Sequence, residues 1–173
     1  ELVGGSWAGR CTLSSGASLV KVGTGTLTLS GINTYTGRTT VDGGKLVVNG
    51  SIVASSALTV NAGGTIGGNG MLPKTTINGG TLSPGNSIGT INISGSLSFV
   101  GAGNYIVEVS PAAADKTNVS GAPGTASLSG TLSAIGLGGI YAVGTKYTVL
   151  NATGGVSGTF GNLAISGSFG LTK

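Results

Sequence analysis

The chain has 173 residues, 39% of them hydrophobic, only 7% charged and 36 of them glycine, with a net charge of +4 from eight Lys or Arg against four Asp or Glu. That length suits one domain, the absence of a Gly-x-y period excludes collagen, and the apolar content with regular alternation argues against a disordered Gly/Ser linker. The bases (Arg10, Lys21, Arg38, Lys45, Lys74, Lys116, Lys146, Lys173) are scattered and not interleaved with aromatics, so no nucleic-acid partner is expected.

Residues 1–18 carry no clear periodicity. Trp7 lies there, as does Cys11, the single cysteine, which cannot close a disulfide within the chain. With no initiating Met, no signal peptide and no apolar run long enough to span a bilayer as a helix, the sequence reads as a piece excised from a longer protein. From Leu19 a pattern begins. Leu19-Val20-Lys21-Val22 predicts a strand, Gly23-Thr24-Gly25 a turn and Thr26-Leu27-Thr28-Leu29 a second strand. The polar stretch from Ser30 to Gly37 predicts a corner, with Tyr35 packed over the outside of the coil.

A turn phrase then recurs: Val41-Asp42-Gly43-Gly44, Val60-Asn61-Ala62-Gly63-Gly64, Ile77-Asn78-Gly79-Gly80 and, more loosely, Ile93-Ser94-Gly95. Its starts lie 19, 17 and 16 residues apart, about the length of one coil of a parallel β-helix. About four coils are expected between residues 39 and 99, rising roughly 20 Å at the spacing of neighbouring strands. Val41, Leu46, Val48, Leu58, Val60, Ile66, Ile77, Leu82, Ile91, Ile93 and Leu97 are the expected inward positions, and Asp42, Asn61, Asn78 and Ser94 are expected to align at one corner. The cluster Ser83-Pro84-Gly85-Asn86-Ser87 is the strongest break in this region.

After Phe99 the character changes. Six of the eight aromatics (Phe99, Tyr105, Tyr141, Tyr147, Phe160, Phe169) lie at or beyond it. Tyr105-Ile106-Val107-Glu108-Val109 and Tyr147-Thr148-Val149-Leu150 predict longer strands, the first with Tyr105, Val107 and Val109 on one face. Bulkier strands suit the end of a solenoid, where open backbone edges and the last apolar layer need covering. The division expected is therefore an irregular end at 1–18, β-helix repeats at 19–99 and a capping segment at 100–173.

Gly23-Thr24-Gly25-Thr26-Leu27-Thr28-Leu29-Ser30-Gly31-Ile32-Asn33-Thr34-Tyr35-Thr36-Gly37 resembles the passenger-associated repeat of bacterial type V autotransporters. Gly80 to Thr90 resembles the motif that precedes the C-terminal end of such passengers. Tyr105 to Val109 with Asp115-Lys116 and Val119-Ser120-Gly121, and Tyr147 to Phe160, are similar to their autochaperone region. The resemblance spans roughly residues 15–165. It implies an all-β, right-handed parallel β-helix with a C-terminal β cap, at the cell surface or secreted. It also implies partners: the chain's own upstream coils and an outer-membrane β-barrel further C-terminal. The function it implies is a structural stem and an intramolecular folding nucleus.

Catalysis is not expected. Without histidine there is no His-based triad or His metal site, and no cofactor or metal is predicted. The acids Glu1, Asp42, Glu108 and Asp115 are mostly far apart, and no P-loop or Asp-bearing Ca²⁺ nonapeptide is present. The residues assigned to the cap core are Tyr105, Val107, Val109, Tyr147, Val149 and Phe160. The alternative is an adhesin-type module contacting host glycan or protein through Tyr35 and the 111–116 loop. A repetitive ice- or mineral-facing surface would need a regular Thr-x-Thr row, and Thr24-Gly25-Thr26 and Thr34-Tyr35-Thr36 are isolated.

Overall fold

Alternating apolar and small polar residues send every second side chain inward, and Val, Ile and Thr favour the extended backbone that this needs. The computed structural model, which describes residues 2–3, 7–9 and 15–171, turns the pattern into twenty strands and, among those residues, no helix. The first coil holds β1 (Leu2–Val3) and β2 (Trp7–Gly9), the second β3 (Leu19–Val22) and β4 (Thr26–Leu29), the third β5 (Thr39–Val41) and β6 (Gly44–Val48). In the fourth lie β7 (Leu58–Asn61), β8 (Gly64–Gly68) and β9 (Met71–Leu72), in the fifth β10 (Thr75–Asn78), β11 (Thr81–Pro84) and β12 (Thr90–Ser94). The sixth has β13 (Leu97–Val100), β14 (Asn104–Val109) and β15 (Lys116–Ser120). The seventh has β16 (Ala126–Leu128), β17 (Thr131–Tyr141) and β18 (Leu150–Ala152), and the eighth β19 (Val156–Gly158) and β20 (Asn162–Leu171).

Successive coils stack strand on strand into three parallel sheets, ordered β1-β3-β5-β7-β10-β13-β16-β19, β2-β4-β6-β8-β11-β14-β17-β20 and β9-β12-β15-β18. This is a parallel β-helix. Its register builds continuous inner rows; one runs Leu27, Leu46, Ile66, Leu82, Tyr105, Leu132, Leu163. All eleven inward positions expected between Val41 and Leu97 are buried, none more than 1% exposed. The strands expected at Leu19–Val22 and Thr26–Leu29 are β3 and β4 with those bounds. The sheets run on past residue 99; what changes there is coil length, from about twenty residues to about thirty between successive first strands.

Three expectations are corrected. Tyr35 lies inside the coil, 0% exposed, with its hydroxyl 2.8 Å from Thr39 Oγ1, which in turn lies 3.0 Å from Ser55 Oγ. Inward hydroxyls supply the partners that let a phenol be buried. Ser94 does not join the Asp42 corner. Asn61 Nδ2 donates to Asp42 Oδ1 at 2.6 Å and Asn78 Nδ2 to Asn61 Oδ1 at 2.9 Å, but the next residue in that register is Val100. Ser94 instead ends β12, beside Ser120 in the third sheet. The Gly85–Gly89 loop lengthens the fifth coil, so the similar phrase at Ile93 turns a different corner, with Gly95 at φ +115° serving the same turn chemistry. Finally, Tyr147, Thr148 and Val149 are not strand; only Leu150 enters β18. Trp7 falls in β2, and Cys11 lies outside the described residues.

Candidate folding site in the C-terminal coils

β14 alternates as its sequence dictates, with Tyr105, Val107 and Val109 inward at 0%, 1% and 6% exposure and Ile106 and Glu108 half-buried on the other face. Tyr105 is the hub. Its ring centroid lies 5.8 Å from that of Phe99 and 5.9 Å from that of Phe160, stacked on the latter, while Phe99 and Phe160 meet edge-on at 5.3 Å. These are favourable aromatic arrangements. In the seventh coil, small Ala126 and Ala134 stand in register with Leu97 and Val107 of the sixth.

The polar tips are satisfied as well. Tyr105 Oη lies 2.9 Å from Thr117 Oγ1 and also donates to the Val149 carbonyl. Burial pushes its hydroxyl well above the ordinary tyrosine range, so it stays a neutral donor. Val149 O accepts from Thr117 N at 2.9 Å too, tying the seventh coil to β15. Tyr147 Oη donates to the Pro111 carbonyl at 3.1 Å.

The six assigned residues thus lie in two adjoining groups. Tyr105 and Phe160 form the aromatic pack with Phe99. Val107, Val109, Tyr147 and Val149 line an apolar cavity of about 760 Å³ that opens at the last coil. Tyr147, Val149 and Phe160 are only partly buried. Phe99 and Tyr141 belong to this region although they were not among the six. Tyr141 is 5% exposed, donates to Val109 O at 2.7 Å and packs 5.0 Å from the Phe169 ring. The concentration of aromatics after residue 99 was the signal that marks both.

A buried carboxylate braces the same coils. Asp115, 1% exposed, accepts from the Gly89 and Glu108 amides, both at 2.8 Å. Burial pushes its carboxyl above the ordinary value; the two amide bonds oppose the rise and the nearby Glu108 charge adds to it. Among the described residues no group of three or more Cys, Asp or Glu side chains is placed to hold a metal ion.

Fold and site together define a β-solenoid repeat protein whose last coils carry an aromatic core. Residues 19–48, from β3 through β6, match the family model described as passenger-associated-transport-repeat. That repeat and the parallel sheets fit a passenger region of an autotransporter. No curated protein matches the sequence.

Proposed function

We propose that this passenger region is a non-catalytic stem and also the nucleus from which the stem folds, with residues 19–99 as stem and 100–173 as folding segment. It acts at the bacterial cell surface, and its partners are its own upstream coils and an outer-membrane β-barrel. One observation carries the reading: the ring cluster of Phe99, Tyr105 and Phe160 links the sixth coil to the eighth, and the Tyr105 hydroxyl reaches the seventh. The first coils of a solenoid lose chain entropy before any neighbour compensates them. A cluster that spans three coils returns contact energy in a single event and leaves a formed edge for the next coil. The adhesin alternative loses Tyr35 as a contact, because that ring is enclosed.

Refolding kinetics of the full chain test the proposal. Tyr105→Phe and Phe160→Leu should slow refolding, whereas Ile66→Val in the stem should chiefly speed unfolding. If all three variants act only on the unfolding rate, the C-terminal coils are a passive end of the stem.

A further inference from the structure

Lys21 interrupts an otherwise apolar stack. The register sets it in line with Val41, Val60, Ile77 and Phe99 on the inner face of the first sheet, and only 2% of it is exposed. Leu19 and Lys21 point inward while Val20 points out, so the period of two forces a charged residue into the core. A buried charge requires partners. Lys21 Nζ donates to the carbonyls of Val22 at 2.8 Å, Gly23 at 3.0 Å and Gly43 at 3.0 Å. An ammonium has three N–H donors and no acceptor, so this set saturates it. The Val22 carbonyl ends β3, that of Gly23 opens the turn after it, and that of Gly43 comes from the matching turn of the next coil.

Glycine keeps the enclosure open. Gly44 sits at φ +64°, and a Cβ there would fall 2.8 Å from Nζ and collide with the Gly23 and Gly25 carbonyls. Burial pulls the ammonium below its ordinary value, a cost that the three carbonyl dipoles oppose. Converging backbone carbonyls that replace a hydration shell are how proteins hold desolvated monovalent cations.

We propose that this corner is a monovalent-cation site which the chain fills with its own Lys21 ammonium, and that the tethered cation locks the second coil onto the third. The assignment is independent of the folding role of the C-terminal coils. Lys21→Ala leaves three carbonyls converging on an unfilled space that a free ammonium-type ion fits.

The test is thermal unfolding of Lys21→Ala and Lys21→Met variants of the 173-residue chain, in tetramethylammonium, potassium or methylammonium chloride at equal ionic strength. Lys21→Ala should melt about 5 °C or more below the parent chain in tetramethylammonium, which has no N–H and is too large. Methylammonium should restore at least half of that loss. Equal melting in all three salts overturns the proposal, as does a Lys21→Met variant as stable as the parent. If Lys21→Ala does not fold, acetylation of the unaltered chain decides. Lys21 should react at least about tenfold more slowly than Lys45, Lys74 and Lys116 in the native state, and equally with them in urea. Equal native reactivity overturns the assignment.

Discussion

Replacing Tyr105 by Phe removes a single oxygen and leaves the ring. The ring is 0% exposed and keeps its contacts with Phe99 and Phe160, so little packing is lost. The hydroxyl is lost, and with it a bond to Thr117 Oγ1 and one to the Val149 carbonyl. That carbonyl retains the Thr117 amide at 2.9 Å, but the Thr117 hydroxyl, 0% exposed, loses its phenol partner. Leaving one buried polar group short of a partner costs about 1–3 kcal/mol. Urea unfolding followed by far-UV circular dichroism should therefore show an unfolding free energy lower by that amount, as a lower midpoint at unchanged slope. Adding Thr117→Val should recover part of the loss, giving a coupling energy between the two sites. Tyr105→Ala also removes the ring, at about 3–5 kcal/mol, and Phe160→Ala should cost less because that ring is only partly buried. A Tyr105→Phe variant within about 0.5 kcal/mol of the parent, or strictly additive single variants, would refute the hydroxyl network.

Two further outcomes follow from burial. Asp115 has a carboxyl raised above its ordinary value of 3.8, chiefly by burial. Such a group contributes most below the unfolded value, and the contribution is lost as pH rises through the folded one. Melting temperature should thus gain from this group as pH falls from 7 toward 4, and Asp115→Asn should flatten that gain; parallel profiles in the two chains would count against it. Leu82 and Leu163 share one inner row, at 0% and 63% exposure. Leu82→Ala should cost about 2–5 kcal/mol and Leu163→Ala under about 1 kcal/mol by denaturant titration, and similar losses would contradict the row's open end.

The stem was legible because its code is local. Between Val41 and Leu97 the eleven positions expected inward are all Leu, Ile or Val, and the recurring turns carry glycine beside a short polar residue, so hydropathy and turn chemistry agree there. Tyr35, in the second coil, was placed outside because polarity alone assigns a phenol to solvent. What brings it in is a pair of hydroxyls, Thr39 and Ser55, that only the coiled chain delivers. Lys21 shares that logic: its partners include a carbonyl 22 residues away. The period of two puts Lys21 on the face of Leu19, but hydropathy does not reveal the acceptors that let a charged side chain stay there.

The C-terminal coils fail the same reading for a steric reason. β17 and β20 are the longest strands, eleven and ten residues, yet glycines interrupt their alternation. Gly136 follows Ala134 on the inner side of β17, beside Val109, and a Cβ there would meet the Phe169 ring 2.6 Å from Cε2. Glycine occurs because an aromatic from the next strand fills the space that a branched residue occupies in the stem. A hydropathy pattern registers that exchange as a gap, although the Phe169 ring fills the space beside Gly136. The register shift between Leu137 and Ile140 then moves the period once more, carrying the strand on to Tyr141, whose hydroxyl closes onto Val109 O. Stem coils repeat one solution along the axis, whereas the last coils trade side-chain volume between neighbours. That trade binds the sixth, seventh and eighth coils into a unit larger than any single repeat.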